Sequence, residues 1–584
     1  MTSFSRRRFA TLAGAGLAAP IVCADEPPGF LHGVASGDPL ADRVMLWSRV
    51  SGYRDPVTVT LVVAEDPNFE RIVRRFETST DASRDYTIKV DADGLAPGRR
   101  YYYRFATADA SSPTGRTRTL PAADTAEVRL AVVSCSNYPA GFFNVYRALG
   151  HHNDLDAIVH LGDYIYEYPA DGYASARSRE FGRLSAPLQE VVALADYRMR
   201  HAQYKRDPDL AYAHAQVPFI AIWDDHEITN DAWTDGAQNH QPNEGDFAAR
   251  KRAALTAYRE WMPIRDAGPP YRRFDFGRIA TLAILETRVT ARSAPLSYAD
   301  DLEPQLQSFR PRASGAVPVA AEAFDAARGD FQLPRLIDPA TGSPIDDAAR
   351  VQSLLESGQR GIDYDVMPDI DGFVRDKLGA SERRLMGDAQ LDWLSEAVTD
   401  RNGGRWNIIG SQTLLGEVRA PNLDAALSRK ERAAIPDYLQ PLIPLTRFGL
   451  PMNLDAWDGF PAERARLLER LAQAKNTLVI AGDTHNAWAG TVPLSNGSSV
   501  YELGTPSVSS PGIAEALRLP PKRLESLFAA ANARFDYLGF SYRGYLELRL
   551  SDTKADAIFV GVSNIDSRRY SLTEQHRRSL SAES

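Results

Sequence analysis

The sequence predicts an α/β protein in which a β-sandwich module precedes a larger domain of short buried strands alternating with helices. Three observations carry this. Residues 26–121 alternate in β-forming runs broken by turn signals. Beyond Glu127 the strands become apolar runs that stop abruptly at polar clusters, and the segments between them include amphipathic helical stretches. The 584 residues call for two domains or one heavily decorated domain, and 44% hydrophobic residues suffice for a large core.

The elements follow in chain order. Residues 1–24 have the layout of a cleaved export signal: Ser5-Arg6-Arg7-Arg8-Phe9, an apolar run from Leu12 to Val22, then the small-residue pattern Val22-Cys23-Ala24. The run is too short to span about 30 Å of hydrocarbon. A twin-arginine signal of this kind predicts passage through that export machinery to the periplasm or beyond. Residues 25–122 form the expected N-terminal domain, with runs at Arg43–Val50, Val57–Val63, Tyr86–Val90 and Tyr101–Ala106 separated by Asp66-Pro67, Asp93-Gly94 and Pro97-Gly98. Short strands at this spacing predict a sandwich similar to a fibronectin type III module.

The larger domain is expected over 127–566. Five apolar runs, Val128–Val133, Ala157–Leu161, Phe219–Trp223, Trp406–Ile409 and Thr477–Ala481, end at polar clusters. Folds of this class place ligands beyond the C-terminal ends of buried strands, so the five ends are expected to converge on one site. Helices are predicted near Leu188–Tyr204 and Ala462–Ala474. Insertions at about 168–200, 290–380 and 415–460, rich in Pro, Asp and Gly, are expected to act as lids and rims, and 567–584 as a frayed polar tail.

A net charge of −9 offers no general footprint for nucleic acid or an anionic membrane, so an anionic ligand needs a local cationic centre. Two cysteines, Cys23 and Cys135, exclude a disulfide framework and a four-cysteine zinc site. No stretch after the signal reaches 18 apolar residues, so no stable membrane anchor is expected.

The strand ends carry the chemistry. Asp163 and Tyr166 can reach one ion, and a phenolate favours a hard, highly charged metal such as ferric iron. Asp224-Asp225-His226-Glu227 puts four ionisable groups after an apolar strand, which is costly unless a cation offsets them. His226 reads as a metal ligand or as a proton donor. Asp483 and His485, two residues apart, lie on one side of an extended segment. Cys135 reads as a nucleophile paired with His226 or His485, or as a metal-held thiolate. Ligation protects a lone thiol in an oxidising compartment. Asn137, Asp224, Gln412 and Arg147 are candidate substrate-binding residues.

Together, Cys135, Gly162-Asp163-x-x-Tyr166, Trp223-Asp-Asp-His-Glu-x-x-Asn230-Asp231 and Gly482-Asp-Thr-His485 resemble the PhoD-type alkaline phosphatase/phosphodiesterase family of calcineurin-like metallophosphoesterases. Gly33-Val-Ala-Ser-Gly-Asp-Pro39 and Val44–Arg49 resemble that family's opening module. The resemblance implies a four-layer αββα domain and a secreted enzyme holding Fe³⁺ and Ca²⁺ that hydrolyses phosphomonoesters or phosphodiesters through a metal-activated hydroxide. It implies Cys135 and Tyr166 as iron ligands, Asp163 as the bridging carboxylate, and Asp225 in the place of a metal-binding Asn. His226 falls on the catalytic histidine. Asp483 and His485 stand at the superfamily's Gly-His-x-His pair, and a carboxylate for one imidazole favours Ca²⁺ over zinc. Gln412 lies where many relatives carry another histidine. Alternative readings are a strict phosphodiesterase or phospholipase, a non-catalytic envelope phosphate-binding protein, and a thiol hydrolase using Cys135.

Overall fold

The computed structural model describes residues 27–582 except 122, 340 and 401–404. The expected export signal, residues 1–24, therefore lies outside the described residues. Among them, no helix is long and apolar enough to cross a membrane.

Two large sheets organise the chain. The first has nine strands, in the order Leu572–Ser581, Lys554–Val562, Arg543–Leu550, Val128–Val133, Ala157–His160, Phe219–Ala221, Val34–Gly37, Val44–Arg49 and Thr87–Ala92. The second has seven: Arg272–Phe276, Ala280–Ile284, Trp406–Ser411, Thr477–Ala481, Ser499–Gly504, Ala487–Pro493 and Phe535–Gly539. The central strands of each pair in parallel, and antiparallel strands close the edges. The parallel strands are continuous apolar runs because both faces are covered. In the second sheet Leu282, Ile408, Leu478 and Ile480 enter the core shared with the first sheet, while Ala283, Ile409 and Val479 pack against the helices Asp388–Thr399 and Pro461–Leu471. The five expected strands are present, and the two expected helices span Leu194–Lys205 and Pro461–Leu471.

The structure differs from expectation in three places. Three strands of the expected N-terminal sandwich, Val34–Gly37, Val44–Arg49 and Thr87–Ala92, extend the nine-stranded sheet, with Gly37 opposite Phe219. The remaining N-terminal strands form a four-stranded sheet, and Val44, Leu46 and Ile88 share one apolar core with its Val59, Leu61, Tyr103 and Phe105. Gly37 makes the join, since a Cβ there would sit 2.3 Å from the Pro263 carbonyl and 2.7 Å from that of Phe219. The 567–584 tail is not frayed throughout: Leu572–Ser581 pairs along the whole of Lys554–Val562. Its side chains are mostly exposed and polar, as suits an edge strand, so hydropathy gives no sign of it. The 290–380 insertion holds two small three-stranded sheets and the helix Ala348–Ser357.

The main core also encloses basic groups. Tyr146 bonds the His160 ring at 2.7 Å, Tyr164 bonds that of His214 at 2.9 Å, and Lys205 Nζ lies 3.0 Å from His214. Both His201 nitrogens are buried without partners. Burial first, then the nearby Lys205 charge, lowers His160 and His201 to about 3 and holds His214 well below its ordinary value. The unfolded chain protonates such imidazoles near pH 6.5, so it binds the extra protons. Stability is therefore expected to fall as pH drops from about 6.5 towards 3, by about 1.4 kcal/mol per pH unit for each histidine. His201→Phe should shallow that acid slope by one histidine's share, read from urea unfolding at about pH 7 and pH 5. An unchanged slope would rule out a neutral His201.

Candidate metal centre

The site begins with backbone shape. Cys135, Asp163, Asp483 and His485 follow buried strands and adopt left-handed φ of 61°, 55°, 61° and 60°, and Asp231 adopts 51°. Residues with a Cβ rarely do so, at a cost of about 1 kcal/mol each, and the turns swing their side chains across the strand ends. Gly162, at φ 99°, lets two ends meet, because a Cβ there would lie 2.3 Å from that of Asp224. Buried Glu227 ties the same ends together by accepting from the backbone N–H groups of Asp163, Tyr164 and Asp224 at 3.1, 2.7 and 2.8 Å. Backbone bonds from Cys135 and Ser136 to the carbonyls of Gly162 and Asp163, at 3.1 and 2.8 Å, lock the first loop to the second.

Four overlapping groups of ligand atoms result, each with its members within 4.8 Å of one another. They are Cys135, Asp163 and His485; Asp163, Asp225 and His226; Asp224, Asp225 and Asp483; and Asp225, Asp231 and Asp455. Tyr166 joins the first: its hydroxyl donates to Asp163 Oδ2 at 2.9 Å, accepts from Ser510 at 2.7 Å and lies 3.3 Å from His485 Nε2. His485 Nδ1 donates to the Pro511 carbonyl at 2.7 Å, which turns Nε2 towards this group. The buried oxygens Asp163 Oδ1, Asp224 Oδ2 and Asp225 Oδ1 have no hydrogen-bond partner. Carboxylate oxygens in this density cannot satisfy one another, so the donor set fits metal cations.

Protein charges offset only part of the repulsion. Arg288, fully buried, pairs with Asp224 and Asp455 and lies 3.4 Å from Asp483 and 3.7 Å from Asp225; Arg292 also pairs with Asp455. Burial pushes Asp483 up to about 6 against the pull of Arg288. Burial, then Asp163, holds the Cys135 thiol well above its ordinary range while protein charges alone surround it. A cation reverses that balance for thiol, phenol and carboxylates together. For His226, burial would lower the imidazole, but Asp225, Glu167 and Asp163 outweigh it and hold the pKa well above the usual value. Glu167, fully buried, accepts from His226 Nδ1 at 2.7 Å and is anchored by Thr229, the Asn230 N–H and Asn239.

Cys135, Asp163, Tyr166, Asp224, Asp225, His226, Asp483 and His485 are thus brought together, and the side chains of two other candidates are engaged by the surrounding scaffold. The exposed Arg147 guanidinium stacks over Tyr212 at 5.1 Å, 3.8 Å from Asp209. The Gln412 amide is consumed by the scaffold, accepting from Thr287 at 2.6 Å and donating to the Leu285 carbonyl at 2.8 Å. Asn137 is buried with its amide unpartnered. Five participants carry no expected role: Glu167, Asp231, Arg288, Arg292 and Asp455. The strand Ala280–Ile284, ending at Glu286-Thr287-Arg288, carries the same signal as the five expected strands and points to Arg288. Nothing local marks Asp455, which lies in the 415–460 insertion.

A family model described as PhoD-like phosphatase matches residues 130–559, and one for the PhoD-like phosphatase N-terminal domain matches residues 16–121. Alkaline phosphatase D of Bacillus subtilis (strain 168) is 31% identical over 524 residues, covering 84% of this chain and 73% of that protein. A solved structure of PhoD superposes with a TM-score of 0.70 at 25% identity, covering 95% of this chain and 90% of the other, which agrees with the mixed α/β fold.

Removing the Glu167 charge while keeping its shape should release His226 to a lower pKa. Glu167→Gln is expected to shift the alkaline limb of the pH–kcat/KM profile to lower pH and to cost about 10–100-fold in activity. A loss of activity with an unshifted limb would mean that Glu167 does not govern His226.

Proposed function

The chain belongs to the PhoD-like phosphatase family and is a phosphoric ester hydrolase, and on that premise we propose that it is an exported, metal-dependent enzyme acting on phosphomonoesters, phosphodiesters or both. The observation that carries metal dependence is the gathering of Cys135, Asp163 and His485, with Tyr166 bonded to Asp163, beside buried carboxylate oxygens that lack partners. The mixed sulfur, phenol and imidazole donors of the first group suit ferric iron. The all-carboxylate groups around Asp225 and Asp483 suit calcium, and Asp163 links the two sides, grouped with Cys135 and His485 on one and with Asp225 and His226 on the other. Two sheets face to face, with helices on the far side of the second, support the four-layer reading, and the twin-arginine pattern in residues 1–24 supports export.

Bound cations supply positive charge for the phosphoryl oxygens and make water acidic enough to attack near neutral pH. The chain's own groups do the rest. With Nδ1 held by Glu167, His226 offers Nε2 to protonate the leaving oxygen, and the surrounding acids keep it protonated at neutral and mildly alkaline pH. Arg288 and Arg292 fix Asp224, Asp455 and Asp483 in place, so the acidic wall does not splay. The ring of Tyr166 lies 4.2 Å from that of His226 and packs one face of the imidazole.

Full chelation is expected to abolish turnover of chromogenic mono- and diesters, and elemental analysis of the exported protein should find iron and calcium. Cys135→Ser should lose iron while retaining calcium, and Tyr166→Phe should lose any visible tyrosinate-to-iron band. Turnover that survives complete metal removal would overturn this reading. The ratio of monoester to diester rates separates a broad phosphatase from a strict phosphodiesterase.

A further inference from the structure

Five aromatic rings run without a break along the metal centre. Tyr168 lies 5.3 Å from the His226 ring and 5.6 Å from Tyr173, and Tyr166 lies 4.2 Å from His226. Tyr173 in turn lies 6.0 Å from Tyr166 and 6.5 Å from the His485 ring. The rings therefore join the imidazole that serves the leaving oxygen to the imidazole of the Cys135 group. Tyr166 is buried, whereas Tyr168 and Tyr173 are half-buried and keep part of their surface open next to His226 and His485. Both come from the start of the 168–200 insertion and belong to no strand or helix.

Although they stand outside the regular elements, the two rings are held in place. Buried Arg200 donates to the carbonyls of Tyr166 and Tyr168, the second at 3.1 Å, and to that of Ala186 at 3.0 Å. The Tyr173 hydroxyl donates to the Pro511 carbonyl at 3.3 Å, the oxygen that also orients His485. Between the tyrosines, the Gly172 N–H closes a turn on the Pro169 carbonyl at 2.9 Å. Contact surface ordered in advance loses little conformational freedom on meeting a ligand, and tyrosine has only two side-chain torsions to fix. The cations and acids of the centre take the phosphoryl group and His226 takes the leaving oxygen, so the organic group on that oxygen has to pass the imidazole that Tyr168 flanks. Phenol rings are uncharged near neutral pH, and their faces attract a flat aromatic group without adding to the acidic repulsion of an anionic ester.

Building on the reading of the metal centre above, we propose that Tyr168 and Tyr173 form a stacking subsite for a planar aromatic group, aryl or heteroaryl, on the leaving side of the phosphoester. The test is inhibition of chromogenic-ester turnover, in the metal-loaded protein, by benzylphosphonate and by cyclohexylmethylphosphonate. The two carry the same charge and differ in whether the ring is flat and aromatic, and neither has an ester bond to break. Apolar burial alone favours the larger saturated ring, so a preference for the benzyl compound reports stacking. Benzylphosphonate is expected to inhibit roughly three- to tenfold more tightly. Tyr168→Leu, which keeps apolar bulk, should bring the ratio of inhibition constants close to one, and Tyr168→Phe should retain it. Because both constants are measured on the same protein, a loss of metal or activity in a variant cancels from the ratio, and the wild-type ratio decides by itself if Tyr168→Leu does not fold. Equal inhibition by the two phosphonates, inhibition by neither, or a ratio that persists in Tyr168→Leu sinks the proposal. Failure of the metal-centre reading shows separately, as turnover that survives chelation.

Discussion

Like charge held out of water is the constraint on which the rest of this structure depends. Asp163, Asp224, Asp225, Asp231, Asp455 and Asp483 come within reach of one another in a largely buried pocket, and Arg288, Arg292 and His226 answer part of that charge from the protein side. No fold keeps such an arrangement passively. It is clamped by Glu227 across two strand ends, by Glu167 behind His226, and by backbone turns in conformations that cost energy at five positions of the ligand groups. Stability spent there is recovered from the sheet cores, where alternating residues of the second sheet fill the interior on both sides.

How much of this can be read in the sequence depends on whether a signal is local. A parallel strand covered on both faces is a short apolar run, and a functional strand end is that run cut off by charge, so Val128–Val133 and Thr477–Ala481 are visible with their boundaries. Asp163, Asp225, His226 and Asp483 are visible for the same reason. Pairing between distant segments has no such mark. Alternation in Val34–Gly37 and Val44–Arg49 says that they are strands but not that Gly37 sits opposite Phe219. Leu572–Ser581 reads as tail because an edge strand facing water needs no apolar face.

The site residues divide along the same line. Arg288 follows a strand of the expected kind and is recoverable by the rule that finds the others. Asp455 arrives from an insertion, and its meaning lies in the 167-residue separation from Arg288. Arg147 and Gln412 show the opposite case: each has a suitable side chain, yet Arg147 meets Asp209 and Tyr212, and Gln412 spends its amide on Thr287 and Leu285. A residue type near the right place indicates a role only when its hydrogen-bonding capacity is left over.

The strand that carries Cys135 to the centre lies between Ala157–His160 and Arg543–Leu550, and the latter is in turn bordered by Lys554–Val562. One whole side of the first loop's support is thus delivered by a segment that lies far along the chain from it. The support for the Cys135 loop is therefore a long-range ladder, and a ladder between distant segments can form only after the loop between them has been closed, at a cost in chain entropy.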